Sequence, residues 1–181
     1  MSSNILETLK NLRNNLHNVG SLNNWGHDVI NQGAKIAGAN IDNWCLVTLG
    51  FDENGERIAT ALANTTDATP YIVATPEDYM KEYETISSFF NAVDERARIV
   101  KLETGRRFEC SNVSFEDADL GTNPLKNGQL VHYDATTKKF VISNKTALGG
   151  EGYATAGNKY VLVDKDCVVL DGIQVYRFEV A

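Results

Sequence analysis

With 181 residues, 17 Lys and Arg against 24 Asp and Glu, and a net charge of −7, the chain is acidic, 43% hydrophobic and 23% charged. A chain of that length buries about 70% of the surface its unfolded form exposes, so a core needs neither disulfides nor metal. The composition excludes extended disorder, and the lack of a basic excess argues against nucleic acid as a partner.

Cys45, Cys110 and Cys167 are far apart and odd in number. They make no disulfide framework and no Cys-x-x-Cys zinc pair, and Cys45 and Cys167, in apolar runs, read as small buried hydrophobes. The start, Met-Ser-Ser-Asn, shows no secretory pattern, and no apolar run approaches the roughly 18 residues of a spanning helix. A reducing interior without membrane contact is therefore expected. The sequons at Asn64, Asn112 and Asn144 then read as chance matches.

In chain order, Ile5, Leu9, Leu12, Leu16 and Val19 recur at spacings of 4, 3, 4 and 3. That stripe predicts a helix, with Asn4 and Glu7 as a capping box and Gly20 as its C′ stop. About two heptads are too short to stand alone, so the stripe must dock, on its own domain or on a neighbouring subunit. Residues 21–40 are rich in Asn and Gly around Trp25, Val29, Ile30 and Ile36. They predict a second short helix ending at Gly33 or Gly38.

From Ile41 onward β signals dominate. Trp44–Phe51 is apolar on both faces, as in a buried strand, and Asn54-Gly55 turns it into Arg57-Ile58-Ala59. Pro70–Ala74 reads as a strand, and Thr75-Pro76-Glu77-Asp78 as the start of a helix carrying Tyr79, Met80, Tyr83 and Ile86. Strands are predicted at Arg98–Leu102, Arg107–Cys110, Leu130–Tyr133, Phe140–Ile142 and Tyr160–Val163. Asp134–Lys138 is the predicted turn between the third and fourth of these. Ser143–Lys159 reads as an exposed glycine-rich loop, and Asp171-Gly172 as the turn of a final hairpin. Asp52 before Arg57 and Asp134 before Lys139 give two hairpins one grammar, from duplication or from turn chemistry alone.

The expected fold class is α+β, mainly β: small barrel or sandwich modules with an N-terminal helical arm and one short internal helix. The expected division is an arm at 1–38, a first β module at 39–115 with a helix near 76–86, and a second at 116–181.

Catalytic signatures are absent. His17, His27 and His132 form no i, i+4 pair, and His17 and His132 read as solvent-facing. There is no Gly-x-Ser-x-Gly, and Gly149–Tyr153 lacks the Lys-Ser/Thr ending of a phosphate loop. Asp52–Glu56 starts like a calcium loop but its glycine comes two positions early. Glu116, Asp117, Asp119, Asp164 and Asp166 read as solvated acidic loops. No catalytic residue, cofactor or metal ligand is expected.

Residues 39–181 resemble the head-decoration, or capsid cement, proteins of tailed bacteriophages. The similarity runs through Ala39–Asn43, Leu46-Val47, Asp52–Gly55, Pro70–Val73, Phe90-Asn91-Ala92, Glu95–Arg98, Leu102–Gly105 and Phe108–Ser111. Leu125–Val131 then resembles the small β barrel that phage structural proteins append. The Tyr79–Ile86 helix has no counterpart in that order. The resemblance implies a non-enzymatic virion protein, assembled in the host cytoplasm, that binds the outside of the capsid and stabilises the head. Its implied partners are the major capsid protein and copies of itself, with Ile5, Leu9, Leu12, Leu16, Val19 and Trp25 as the contact arm. The alternative is a receptor- or carbohydrate-binding module of a tail or fibre, with Trp25, Tyr133 or Tyr153 stacking on a ligand.

Overall fold

The computed structural model describes residues 17–22, 28–76, 88–145, 150–167 and 173–181. In chain order the strands are β1 (Gly20–Ser21), β2 (Asp28–Val29), β3 (Ala34–Ile36), β4 (Val47–Phe51), β5 (Arg57–Ala61), β6 (Tyr71–Val73) and β7 (Arg96–Ala97). They continue as β8 (Ile99–Lys101), β9 (Arg107–Cys110), β10 (Val113–Phe115), β11 (Leu130–Asp134), β12 (Lys139–Ile142), β13 (Lys159–Asp164) and β14 (Tyr176–Val180). One short helix, α1 (Glu151–Thr155), precedes β13. The protein is mainly β, as expected.

Three sheets form among the described residues, in the orders β1-β9-β14-β13-β11-β12-β10, β2-β8-β6 and β4-β5-β3-β7. None closes into a barrel, which corrects that expectation. The largest sheet stops short of closure because β1 and β10 end it without pairing to each other. It nevertheless curls, since Phe115 on β10 meets Tyr176 on β14 edge to face at 6.0 Å between ring centres.

Alternation along the strands explains the layering. On β6, Ile72 enters one core and Val73 the other; on β8, Val100 and Ile99 divide in the same way. Both strands are apolar on both faces because the three-stranded sheet lies between two cores. The larger core is aromatic. Phe140 sits within 5.1–5.5 Å of Tyr133, Tyr160, Phe108 and Phe178, four rings supplied by β11, β13, β9 and β14. The smaller core holds Ala34, Ile36, Ile41, Cys45, Val47, Ala59, Val73, Ala97 and Ile99.

The expected hairpins at Asn54-Gly55 and Asp134–Lys138 both form, as β4–β5 and β11–β12. The predicted strands at 70–74, 98–102, 107–110 and 160–163 are present as β6, β8, β9 and β13.

The described part of the expected helical arm is not helical. Gly20 is no helix stop: it pairs with Cys110 across β1 and β9, and a Cβ there would overlap the Glu109 carbonyl and the Trp44 ring. Val19 fell on the helical stripe by spacing alone; next to β1, its carbonyl accepts the Ser111 amide at 2.8 Å. Where a second helix was expected, β2 pairs with β8, and β3 lies between β5 and β7. Ser143–Lys159 is not simply an exposed loop either, because it contains α1 and buries Ser143, Asn144, Ala156 and Asn158. The helical stretch at 4–16, the helix residues 77–86 and the Asp171-Gly172 turn lie outside the described residues.

Candidate functional site

The most exposed large apolar side chain among the described residues is Phe51, at 69%. It ends β4, an edge strand, where pairing with β5 stops at Phe51 opposite Arg57. The loop beyond is five residues, 52–56, rather than a two-residue turn. Asp52 Oδ1 accepts the amides of Asn54 and Glu56 at 2.9 and 2.8 Å, and Gly55 takes φ +77. Burial of the whole Trp44–Phe51 segment was expected, but Thr48 and Phe51 face solvent. The strand has passed the end of the smaller core by that point.

Two arginines brace this end. Arg57 stands 6.0 Å over the Phe51 ring and donates to the Asn31 carbonyl at 2.8 Å and the Gly33 carbonyl at 3.3 Å. Arg96 donates to the Gln32 carbonyl at 3.0 Å and to Glu56 Oε1 at 2.6 Å. The backbone beneath is tightly turned: Gln32, Gly33 and Asp94 have φ of +61, +59 and +67. For residues other than glycine that region costs energy and persists only where the surroundings fix it. Gly33 is required, since a Cβ there would run into the Ala97 carbonyl. Lys35 pairs with Asp94 at 3.0 Å, and Val29 and Val93, 51% and 37% exposed, flank the same loops in sequence. The result is an exposed phenylalanine on a stiff, charged frame, which suits docking against another surface.

Of the expected contact residues, Ile5, Leu9, Leu12, Leu16 and Trp25 lie outside the described residues. Val19 is fully buried with Cys167 and Val175, and its amide donates to Ser111 Oγ at 3.0 Å. It is a core residue and offers no contact surface. Tyr133 is also fully buried, so it cannot stack on a carbohydrate. Tyr153 is half-buried, with Lys159 Nζ 5.1 Å over its ring.

The nucleophiles are muted. All three cysteines are buried; desolvation pushes the Cys45 thiol up to about 12 and Cys167 to about 11, and Cys110 moves in the same direction. His132 is buried rather than solvent-facing, packed against Gly152 of α1, and burial lowers its pKa. The acidic loops are self-braced. Asp119 accepts from the amides of Gly121 and Thr122 and from the Thr122 hydroxyl, and Asp117 from the Asp119 amide and Asn123 Nδ2. Among the described residues no three His, Cys, Asp or Glu side chains are grouped to hold a metal, and no helix is long and apolar enough to cross a membrane.

Sequence reasoning missed the buried asparagines that hold these loops. Asn91 donates to the Ile41 carbonyl, Asn144 to those of Asp117 and Asn123, and Asn158 to that of Asp67. Asn112 donates to the carbonyls of Trp44 and Lys138.

A family model described as YonC prophage protein matches residues 13–181. The chain is also 38% identical over 168 residues to the SPbeta prophage-derived uncharacterized protein YonC of Bacillus subtilis (strain 168), covering 91% of this chain and 90% of that protein. No solved structure matches.

Proposed function

The chain belongs to the YonC prophage protein family, and from that premise we propose that it is a non-enzymatic virion structural protein that binds the outside of the capsid lattice and stabilises the head. The observation that carries this reading is Phe51, 69% exposed at the end of an edge strand and held by Arg57. A lattice-binding protein gains from an exposed phenylalanine held by Arg57, because a rigid anchor loses little entropy on docking, and repeated copies add avidity. The major capsid protein is the proposed partner, with self-association into a small homo-oligomer at the capsid surface after assembly in the host cytoplasm. The buried thiols and the self-braced acidic loops favour binding over chemistry.

The test is sedimentation of the purified protein with heads of the phage that encodes it. Saturable co-migration with the heads is the expected result. Protein that stays at the top of the gradient at every concentration overturns the proposal.

A further inference from the structure

A cleft of about 410 Å³ is lined by Asn18, Gly20, Ser21, Leu22, Asn43, Trp44, Ala74, Thr75, Pro76 and Arg98. Its distinctive member is Arg98. Arg57, Arg96, Arg106, Arg107 and Arg177 all reach carbonyl or carboxylate acceptors. Among the described residues Arg98 reaches none: its Nε is shut off from solvent without a hydrogen-bond partner there, and no carboxylate there pairs with its guanidinium. A guanidinium with an unsatisfied, desolvated donor is costly unless something supplies an acceptor.

Trp44, another lining residue, is fixed. Trp44 sits at φ +64, an uncommon conformation for a bulky residue, and three hydrogen bonds hold it there or beside it. Its amide donates to the Val73 carbonyl at 2.7 Å, its carbonyl accepts Asn112 Nδ2 at 2.8 Å, and the neighbouring Asn43 Nδ2 donates to the Thr75 carbonyl at 3.0 Å. The Arg98 backbone is equally fixed, its amide donating to Thr75 Oγ1 at 3.1 Å and its carbonyl accepting the Ala74 amide at 3.0 Å. Arg98 and Trp44 therefore line the same cleft from rigid backbone.

We infer that this cleft binds a small organic carboxylate, with Arg98 taking the carboxylate and Trp44, Leu22, Ala74 and Pro76 covering its apolar body. Carboxylate geometry matches the guanidinium fork, and a flat apolar body suits the Trp44 side. The inference stands apart from the capsid role, because it uses none of the Phe51 surface.

Titrating isotopically labelled protein with benzoate, benzamide and inorganic phosphate, while following the Trp44 amide and Arg98 Nε–H resonances, tests it. Benzoate should shift both resonances saturably, with benzamide and phosphate each at least about tenfold weaker, since each lacks one half of the recognition. Arg98→Gln should weaken benzoate by about tenfold or more while its melting temperature stays near that of the native chain. No saturable response to benzoate, phosphate or benzamide binding as tightly as benzoate, or unchanged affinity in Arg98→Gln would each overturn it. The comparison among the three probes needs no variant, so it decides the matter even if Arg98→Gln folds poorly.

Discussion

The Asn112 side chain grips the carbonyl of Trp44 at 2.8 Å, and with its second amide hydrogen the carbonyl of Lys138 at 2.7 Å. Trp44 and Lys138 are both left-handed, at φ +64 and +57. One buried amide thus pins two strained turns from different hairpin systems, next to the aromatic core. Replacing Asn112 with Leu leaves two buried carbonyls without donors and should cost about 2–4 kcal/mol. Asn112→Asp should be at least as damaging, because a carboxylate oxygen then faces a carbonyl oxygen. Chemical denaturation of both variants against the native chain measures this; a loss below about 0.5 kcal/mol would show that the clamp is dispensable.

Removing the first 37 residues should abolish cooperative folding. The hairpins lie outside that segment, which by sequence alone makes the truncation look harmless. However, β3 sits between β5 and β7, and Ala34 and Ile36 are completely buried. An isoleucine alone contributes about 1.5–3 kcal/mol of burial, out of about 5–15 kcal/mol for a whole domain. Calorimetry of the truncated chain should show no sharp transition. A melt close to that of the full chain would mean the strands of 20–36 are optional.

Gly33→Ala should cost about 1–3 kcal/mol, the penalty of a positive φ plus a collision with the Ala97 carbonyl. The same change at Gly55, where a Cβ would meet nothing, isolates the conformational part alone. Melting temperatures should therefore fall further for Gly33→Ala than for Gly55→Ala.

Burial lowers the pKa of His132 below its ordinary 6.5. The unfolded chain then takes up the proton first as pH falls. The stabilisation from a neutral His132 is fully present above 6.5 and is lost as pH drops through that value toward the lowered folded pKa. Stability measured at a series of pH values should decline there in the native chain and decline less in His132→Gln. Parallel curves for the two proteins would remove His132 as the cause.

Much of the fold was legible because its signals are local. Asn54-Gly55 and Asp134–Lys138 announce hairpins through turn chemistry, and the carboxylates of Asp52 and Asp134 accept amides two residues on in both. That shared bond shows how far turn chemistry alone goes toward the similarity of the two units. Residues 17–22 and 28–36 were misread for a different reason. Apolar residues three and four apart satisfy a helix, yet Val19 is apolar because it packs with Cys167 and Val175, far along the chain. The asparagine clamps left no signal, since Asn91, Asn112, Asn144 and Asn158 have the chemistry of ordinary loop residues until distant carbonyls reach them. Phe51 looked like core for want of any mark showing where the core ends. Its place at the last paired position before the Asp52–Glu56 loop was the available clue.

The most direct measurement compares native protein with Phe51→Glu in sedimentation with phage heads. Phe51 is exposed, so the substitution should leave the melting temperature within a few degrees of the native value. Head binding should fall by about tenfold or more, as expected when a central anchor is replaced by a charge. A well-folded Phe51→Glu protein that binds heads as tightly as the native chain would contradict docking through this face.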